Sequence, residues 1–250
     1  MSSKRRDSLA ESVPVCISMD TCESTMDEAM RVCEEHPGRV VIVTAKTQLK
    51  GRGSKGRKWM DLGERSLLFT VGMPLGQVKQ LQHCAFAATV SVLEALQASF
   101  RNICLRDFVM AKWPNDVLLR GDGRKVCGNL VEVRSGTMLV GFGCNVEEAP
   151  EVCDGGRRAA CLKDAVDTDR FDRVKFVVMV QKCLVQYLTA DSPGVCMGLW
   201  RGWVDWDAPV FLRDDPERLP HKVIDVDEDG FLIVQSASGE RKTLVDTYLV

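Results

Sequence analysis

Chemistry is most concentrated between Lys46 and Lys58, which reads Lys-Thr-Gln-Leu-Lys-Gly-Arg-Gly-Ser-Lys-Gly-Arg-Lys. Six cations (Lys46, Lys50, Arg52, Lys55, Arg57, Lys58) share this run with three glycines and no acid. Glycines let a backbone approach a ligand closely and turn its N–H groups inward, while cations neutralise phosphate. A polyphosphate is the ligand this composition suits. As a bare solvated loop the run would suffer repulsion among its own charges. Gly51-x-Gly53-x-x-Gly56 also fits the dinucleotide fingerprint, but that string must open an apolar helix and find an acid ~20 residues later. Lys58 to Gly63 is no such helix, and no hydroxyl follows Gly56 to serve a P-loop. The familiar nucleotide folds fail on context.

Three further clusters follow. Lys112-Trp113-Pro114-Asn115-Asp116 sets an amide and a carboxylate beside a fixed-φ proline, a rigid polar corner for a purine, a ribose or Mg²⁺. Alone, it would equally be a plain turn. Lys125-Val126-Cys127-Gly128-Asn129-Leu130-Val131-Glu132 reads as a strand in which Gly128 permits close approach of a ligand. Gly141-Phe142-Gly143-Cys144-Asn145 closes another strand on a single amide.

The elements that must position these clusters can be read from periodicity. Thr25-x-x-Glu28 is a capping-box signal, and Met26, Ala29, Met30 and Cys33 follow at helical spacing until Pro37-Gly38. Arg39 to Ala45 and Ser66 to Met73 read as apolar strands. A helical stripe of Leu81, Ala85, Ala88, Val92 and Leu96 predicts a helix over 78–100. Asp122-Gly123 and Ser135-Gly136 turn between strands at 117–119, 126–133 and 138–142, and a second long helix spans 171–188. Four short strands follow Trp203, at 210–212, 223–226, 231–234 and 242–245. Helices mixed with hairpins predict an α+β main domain over 1–205, and the short strands a small β-barrel over 206–250.

Composition narrows the class of protein. The chain has 250 residues, 45 % hydrophobic and 27 % charged, with a net charge of −2, so it does not coat nucleic acid over its whole surface. The longest charge-free runs, Ser66 to Val78 and Gln80 to Leu93, fall short of the ~18 residues that cross a bilayer. No apolar core with a cleavage site follows the basic start, and Asp7 and Glu11 interrupt it. Lys4-Arg5-Arg6 reads as a solvated tail, and the expected compartment is the cytoplasm rather than the mitochondrion. Eleven cysteines at irregular spacing, without a Cys-x-x-Cys, read as reduced apolar fillers rather than a disulfide framework or zinc site.

Taken in order, the four clusters resemble the biotin protein ligases: Gly-Arg-Gly-x-x-Gly-Arg-x-Trp (51–59), Lys-Trp-Pro-Asn-Asp (112–116), Lys-x-x-Gly-x-Leu-x-Glu (125–132) and Gly-x-Gly-x-Asn (141–145), with Ser24-Thr25 upstream. The ordered set is far more specific than any one motif. The resemblance implies an α+β catalytic domain of class II aminoacyl-tRNA synthetase-like fold, with a mixed sheet and helices, and a C-terminal SH3-like barrel. It implies ATP, Mg²⁺ and biotin as substrates and activator, without a tightly bound prosthetic group. It also implies transfer of biotin through biotinyl-5'-AMP to a lysine of a carboxylase carrier domain. Lys125, Arg52 and Arg57 are the catalytic candidates that it implies. Biotin falls to Ser24, Thr25, Met26, Gln48, Gly51, Arg52, Gly53, Ser54, Lys125, Gly128 and Leu130. The nucleotide falls to Ser54, Arg57, Trp59, Asn115, Asp116, Lys125 and Asn145. No protein cage for a metal is implied, although Mg²⁺ near Asp116 stays open, as does a homodimer. The glycine loop is expected to order over the acyl-adenylate and shield it from water.

Two positions depart from the family pattern: Ser54 stands where many members carry Arg, and Met26 where Asn is common. Only 23 residues precede Ser24, few for the DNA-binding module of some bacterial members, so a repressor role is not expected. A lipoate-type ligase is the nearest rival reading. A nucleic-acid-binding protein using the 46–58 patch is another, disfavoured because only Trp59 offers an aromatic platform.

Overall fold

The computed structural model describes residues 13–60, 62–151, 153–154, 157–191, 194–212 and 214–245, so Lys4-Arg5-Arg6 lies outside the described residues. A seven-stranded mixed sheet carries the fold. Its strands are β1 (Val15–Cys22), β2 (Val41–Gln48), β3 (Ser66–Pro74), β4 (Val109–Lys112), β5 (Asp116–Leu119), β6 (Lys125–Arg134) and β7 (Thr137–Asn145). In space they run β1-β2-β3-β7-β6-β5-β4. Only β1 and β2 pair in parallel, joined by helix α1 (Thr25–Glu35); the other neighbours are antiparallel.

Helix α1 covers one face, where Met26, Ala29, Val32 and Cys33 bury against Val41, Val43 and Leu139. Its cap is Ser24, one residue before the expected Thr25, with the Ser24 hydroxyl accepting from the Met26 N–H at 3.3 Å. Thr25 is committed elsewhere, as described below. Helices α2 (Cys84–Ser99) and α3 (Arg173–Thr189) cover the opposite face, with Phe69 stacked on Phe142 and edge-on to Phe176 beneath them.

Two differences from the sequence expectation have physical causes. Residues 78–83 do not begin α2: the N–H groups of Lys79 and Gln80 donate to the Leu188 carbonyl, and 3₁₀ turns occupy 75–77 and 81–83. Leu81, expected in the buried stripe, is exposed. Strand β1 was not foreseen, although Val15, Ile17 and Met19 alternate with exposed residues as an edge strand does.

A two-residue antiparallel pair, β8 (Cys153–Asp154) with β9 (Arg157–Arg158), precedes α3. After α4 (Val195–Arg201) the chain forms an antiparallel four-stranded sheet of β10 (Pro209–Phe211), β11 (Pro220–Val226), β12 (Leu232–Gln235) and β13 (Arg241–Leu244). These lie where the short strands were expected, and Val223, Leu232, Val234 and Leu244 join the core of the main sheet. The Trp113 indole N–H donates to the Gly230 carbonyl at 2.9 Å, and His83 Nε2 lies 2.9 Å from the Glu228 carbonyl. Most described cysteines act as core fillers, and burial pushes the Cys84 thiol up to about 12.

Candidate active site

A cavity of about 330 Å³ opens on the α1 face, within the size range of small-molecule sites. Its walls come from the start of α1, the facing ends of β6 and β7, and the segment after β2. Of the residues singled out in the sequence, Ser24, Thr25, Met26, Gln48, Arg52, Gly53, Ser54, Arg57, Trp59, Asn115, Lys125, Gly128, Leu130 and Asn145 line it. Gly51 and Asp116 stand behind the wall and act on neighbours.

One end is neutral and tightly hydrogen-bonded. The Gln48 side-chain carbonyl accepts from the Thr25 N–H at 2.7 Å and from the Thr25 hydroxyl at 2.9 Å. Thr25 in turn accepts from the buried Thr70 hydroxyl at 2.9 Å. Strand β2 runs three residues beyond its expected end at Ala45, and this is what brings Gln48 to the helix start.

The floor is made by β6 and β7, where Gly128 and Gly143 are register partners. A Cβ on Gly128 would lie 2.7 Å from Lys125 Cε, and one on Gly143 would lie 2.3 Å from the Trp59 ring. Both glycines therefore serve close approach rather than an unusual backbone angle. The Lys125 ammonium sits 2.8 Å from Asp116 Oδ1, an ion pair whose angle falls outside hydrogen-bond geometry, and 5.5 Å from the centre of the Trp59 ring. The Lys125 carbonyl is fixed by the Ala160 N–H at 2.8 Å. The corner at 112–116 is fastened to β6, since the Asn115 amide donates to the Asn129 carbonyl at 2.6 Å. The Asn145 amide donates to the Ala160 carbonyl at 3.0 Å, leaving its Oδ1 buried without a hydrogen-bond partner.

The segment 51–59 forms a narrow loop closed by an Arg52–Lys58 bridge, with the Gly53 N–H donating to the Arg57 carbonyl at 2.8 Å. Gly56 at the tip adopts a φ of +74°, which glycine tolerates without strain. The Arg57 guanidinium braces the loop, donating to the Ser54 hydroxyl at 2.6 Å and the Ser54 carbonyl at 3.0 Å. Acids from distant segments meet three of the six cations. Lys46 lies on β2, 3.0 Å from both Asp20 and Glu64, while Lys50 pairs with Glu23 at 2.8 Å and Arg52 with Asp27 at 2.7 Å. The Arg52 guanidinium, with Arg134, holds the Asp27 carboxyl below its usual value, and Asp27 raises Arg52 in return.

Lys58 counts in the sequence only as one of the six cations, and the lining residues Met60, Asn129, Gly141, Phe142 and Gly143, with Pro150 and Ala159 at the rim, are assigned no role there. Gly141 and Gly143 stood in a recognised motif, and their alternation along one strand face is the signal that marks them. Met26 lies over Gly141, with its Sδ 3.0 Å from where a Cβ would sit.

A sequence model of the biotin/lipoate A/B protein ligase family matches residues 15–147, more than half of the chain. The chain belongs to this family. A biotin–[acetyl-CoA-carboxylase] ligase of Mycobacterium tuberculosis is 33 % identical over 115 residues, 46 % of this chain and 42 % of that protein. The chain spans about half the length of the curated relatives it matches. The biotin protein ligase of Aquifex aeolicus in complex with biotin and ATP shares the fold with a TM-score of 0.73 at 23 % identity, over 95 % of this chain and 98 % of that one. The Leishmania major biotin protein ligase in complex with biotin gives 0.69 at 24 %, over 94 % and 100 %. The family match covers every lining residue except Pro150 and Ala159.

Proposed function

We propose that this member of the family is an ATP-dependent biotin–protein ligase. The observation that carries the reading is a cavity neutral at one end and cationic at the other. Biotin has a neutral ureido ring, an apolar chain and a terminal carboxylate. Ser24, Thr25 and Gln48 offer neutral donors and acceptors for the ring, Met26 and Leu130 flank a glycine-floored passage for the chain, and Lys125 with Arg52 meets the carboxylate. The dithiolane of lipoate would gain nothing from the Thr25–Gln48 group, which favours biotin over the lipoate reading.

In the first step a biotin carboxylate oxygen attacks the α-phosphorus of ATP, the bond to the bridging oxygen breaks, and pyrophosphate leaves. Two anions must meet, so Lys125 offsets their repulsion and the charge developing on the phosphoryl oxygens, assisted by Arg52 and by Arg57 on the phosphates. Asp116 holds the Lys125 ammonium beside the floor through their 2.8 Å ion pair. Trp59 and the Asn115 corner frame the nucleotide, and the buried Asn145 Oδ1 is the acceptor for the adenine amino group. In the second step the ε-amine of a carrier-domain lysine attacks the acyl carbon, loses a proton, and displaces AMP. Closure of the loop over the mixed anhydride excludes water.

Mg²⁺ belongs to this reading as the companion of ATP. Among the described residues no group of three or more His, Cys, Asp or Glu could hold a metal, and Asp116 is engaged by Lys125. The reading also makes the C-terminal sheet an SH3-like barrel domain beginning near residue 206, and the cytoplasm the site of action. The described residues contain no helix long and apolar enough to cross a membrane.

Incubation with ATP, Mg²⁺, biotin and an acceptor carrier domain, read by intact mass, tests the proposal. A biotin-sized gain that Lys125→Ala abolishes is expected. A lipoyl-sized gain without biotinylation would overturn it.

A further inference from the structure

Asp27, in the first turn of α1, faces a loop residue and a strand residue at once. Asp27 Oδ2 accepts from Arg52 Nη1 at 2.7 Å and Oδ1 accepts from Arg52 Nη2 at 2.9 Å, a two-pronged pair. Asp27 Oδ1 also accepts from Arg134 Nη1 at 2.7 Å. Arg134 bonds Glu132 on the same face of β6, and Glu132 Oε1 lies 3.6 Å from Arg52 Nε. The four side chains thus close a ring of alternating charge, Asp27–Arg52–Glu132–Arg134. Isolated surface ion pairs contribute little. This one differs in being a network with bidentate geometry, and its Glu132 and Arg52 side chains are only 23 % and 33 % exposed.

The ring joins three separate pieces of the fold. Arg52 is the cavity-lining member and the others are not, so what the ring fastens is the loop. Arg134 supplies the second positive charge; without it, one guanidinium would serve two carboxylates. We propose that Asp27, Glu132 and Arg134 are positioning residues that latch the 51–59 loop across the cavity by holding Arg52. The consequence, retention of the acyl-adenylate, rests on the ligase reading; the latch itself does not.

The test uses the full chain and the variants Asp27→Asn, Arg134→Ala and Arg134→Lys. Trypsin cleavage within residues 50–58 is followed by mass spectrometry without ligand, at low and high salt. Release of preformed biotinyl-AMP is followed by rapid gel filtration. Asp27→Asn and Arg134→Ala are expected to speed both cleavage and release on the order of tenfold, with a raised KM and an unchanged single-turnover rate at saturating substrate. Arg134→Lys should recover much of the loss. High salt should speed cleavage of the natural sequence more than that of the variants. Wild-type cleavage and release in both charge-removing variants would overturn the latch. If no biotinyl-AMP forms at all, the ligase reading falls, and the cleavage series still decides the latch.

Discussion

The two walls of the cavity are held by different physics. The floor, at Lys125–Leu130 and Gly141–Asn145, belongs to the middle of a sheet whose ladder hydrogen bonds and buried opposite face fix every position. The loop at 51–59 has few buried apolar anchors and is held by Trp59 on Gly143 and by charge. Sheet positions suit groups whose placement sets the chemical step, where ångströms matter. Charge-held loops suit groups that must admit a substrate and then cover it.

The largest expected effect separating the two walls is on the floor. Lys125→Ala should lower the adenylation rate by about 10²–10⁴-fold, measured by pyrophosphate release, because a preorganised cation is lost where charge develops. It should also lower thermal stability, since Asp116 loses its partner. Gly128→Ala comes next. Its methyl meets the flexible end of Lys125 and lies 3.3 Å from Asp116 Oδ1, so the melting temperature should fall less than in Lys125→Ala while the rate drops by about 10–10²-fold through displacement of the ammonium. A Gly128→Ala protein with full activity would mean that Lys125 does not act from this position. Gly143→Ala pushes against the rigid Trp59 ring instead, and should raise the KM for ATP more than it lowers kcat.

Much of this site was legible because its chemistry lies in contiguous strings. The glycine-rich run and the Lys112 to Asp116 corner each keep their residues together along the chain, and the hairpins at Gly123 and Gly136 followed from turn chemistry. What was not legible depends on contacts between distant segments. Lys46, Lys50 and Arg52 looked unopposed because Asp20, Glu23, Asp27 and Glu64 reach them from elsewhere. The start of α2 was misplaced because Leu188, more than a hundred residues on, captures the backbone at 79–80. Asn129 was passed over because only the fold shows its amide bonding Thr89 and the Asn115 carbonyl at 3.0 Å.

Smaller effects sharpen the contrast. Thr70→Val removes the buried donor to Thr25 and should cost about 1–3 kcal/mol in chemical denaturation while weakening biotin binding. On the loop side, Asp27 has a folded-state value below its ordinary 3.8. Its contribution to stability is therefore fully present above that ordinary value and is lost as pH falls through the lowered one. Melting temperatures of the natural chain and Asp27→Asn should converge as the solution is acidified through that window. A gap that persists at the acid end would assign the difference to packing rather than charge.

The seam between the two sheets bears on modularity. The turn at 227–230 hands carbonyl oxygens to His83 and Trp113, and Gly230 fits at a φ of +86° where a Cβ would lie 2.7 Å from Phe86. Trp113 is two residues from Asn115 in the cavity wall. A chimera that borrowed this small sheet from a relative would have to bring that glycine and both acceptors with it. The C-terminal sheet is thus no interchangeable appendage, and recombination across the seam should succeed only between chains that match at this one turn.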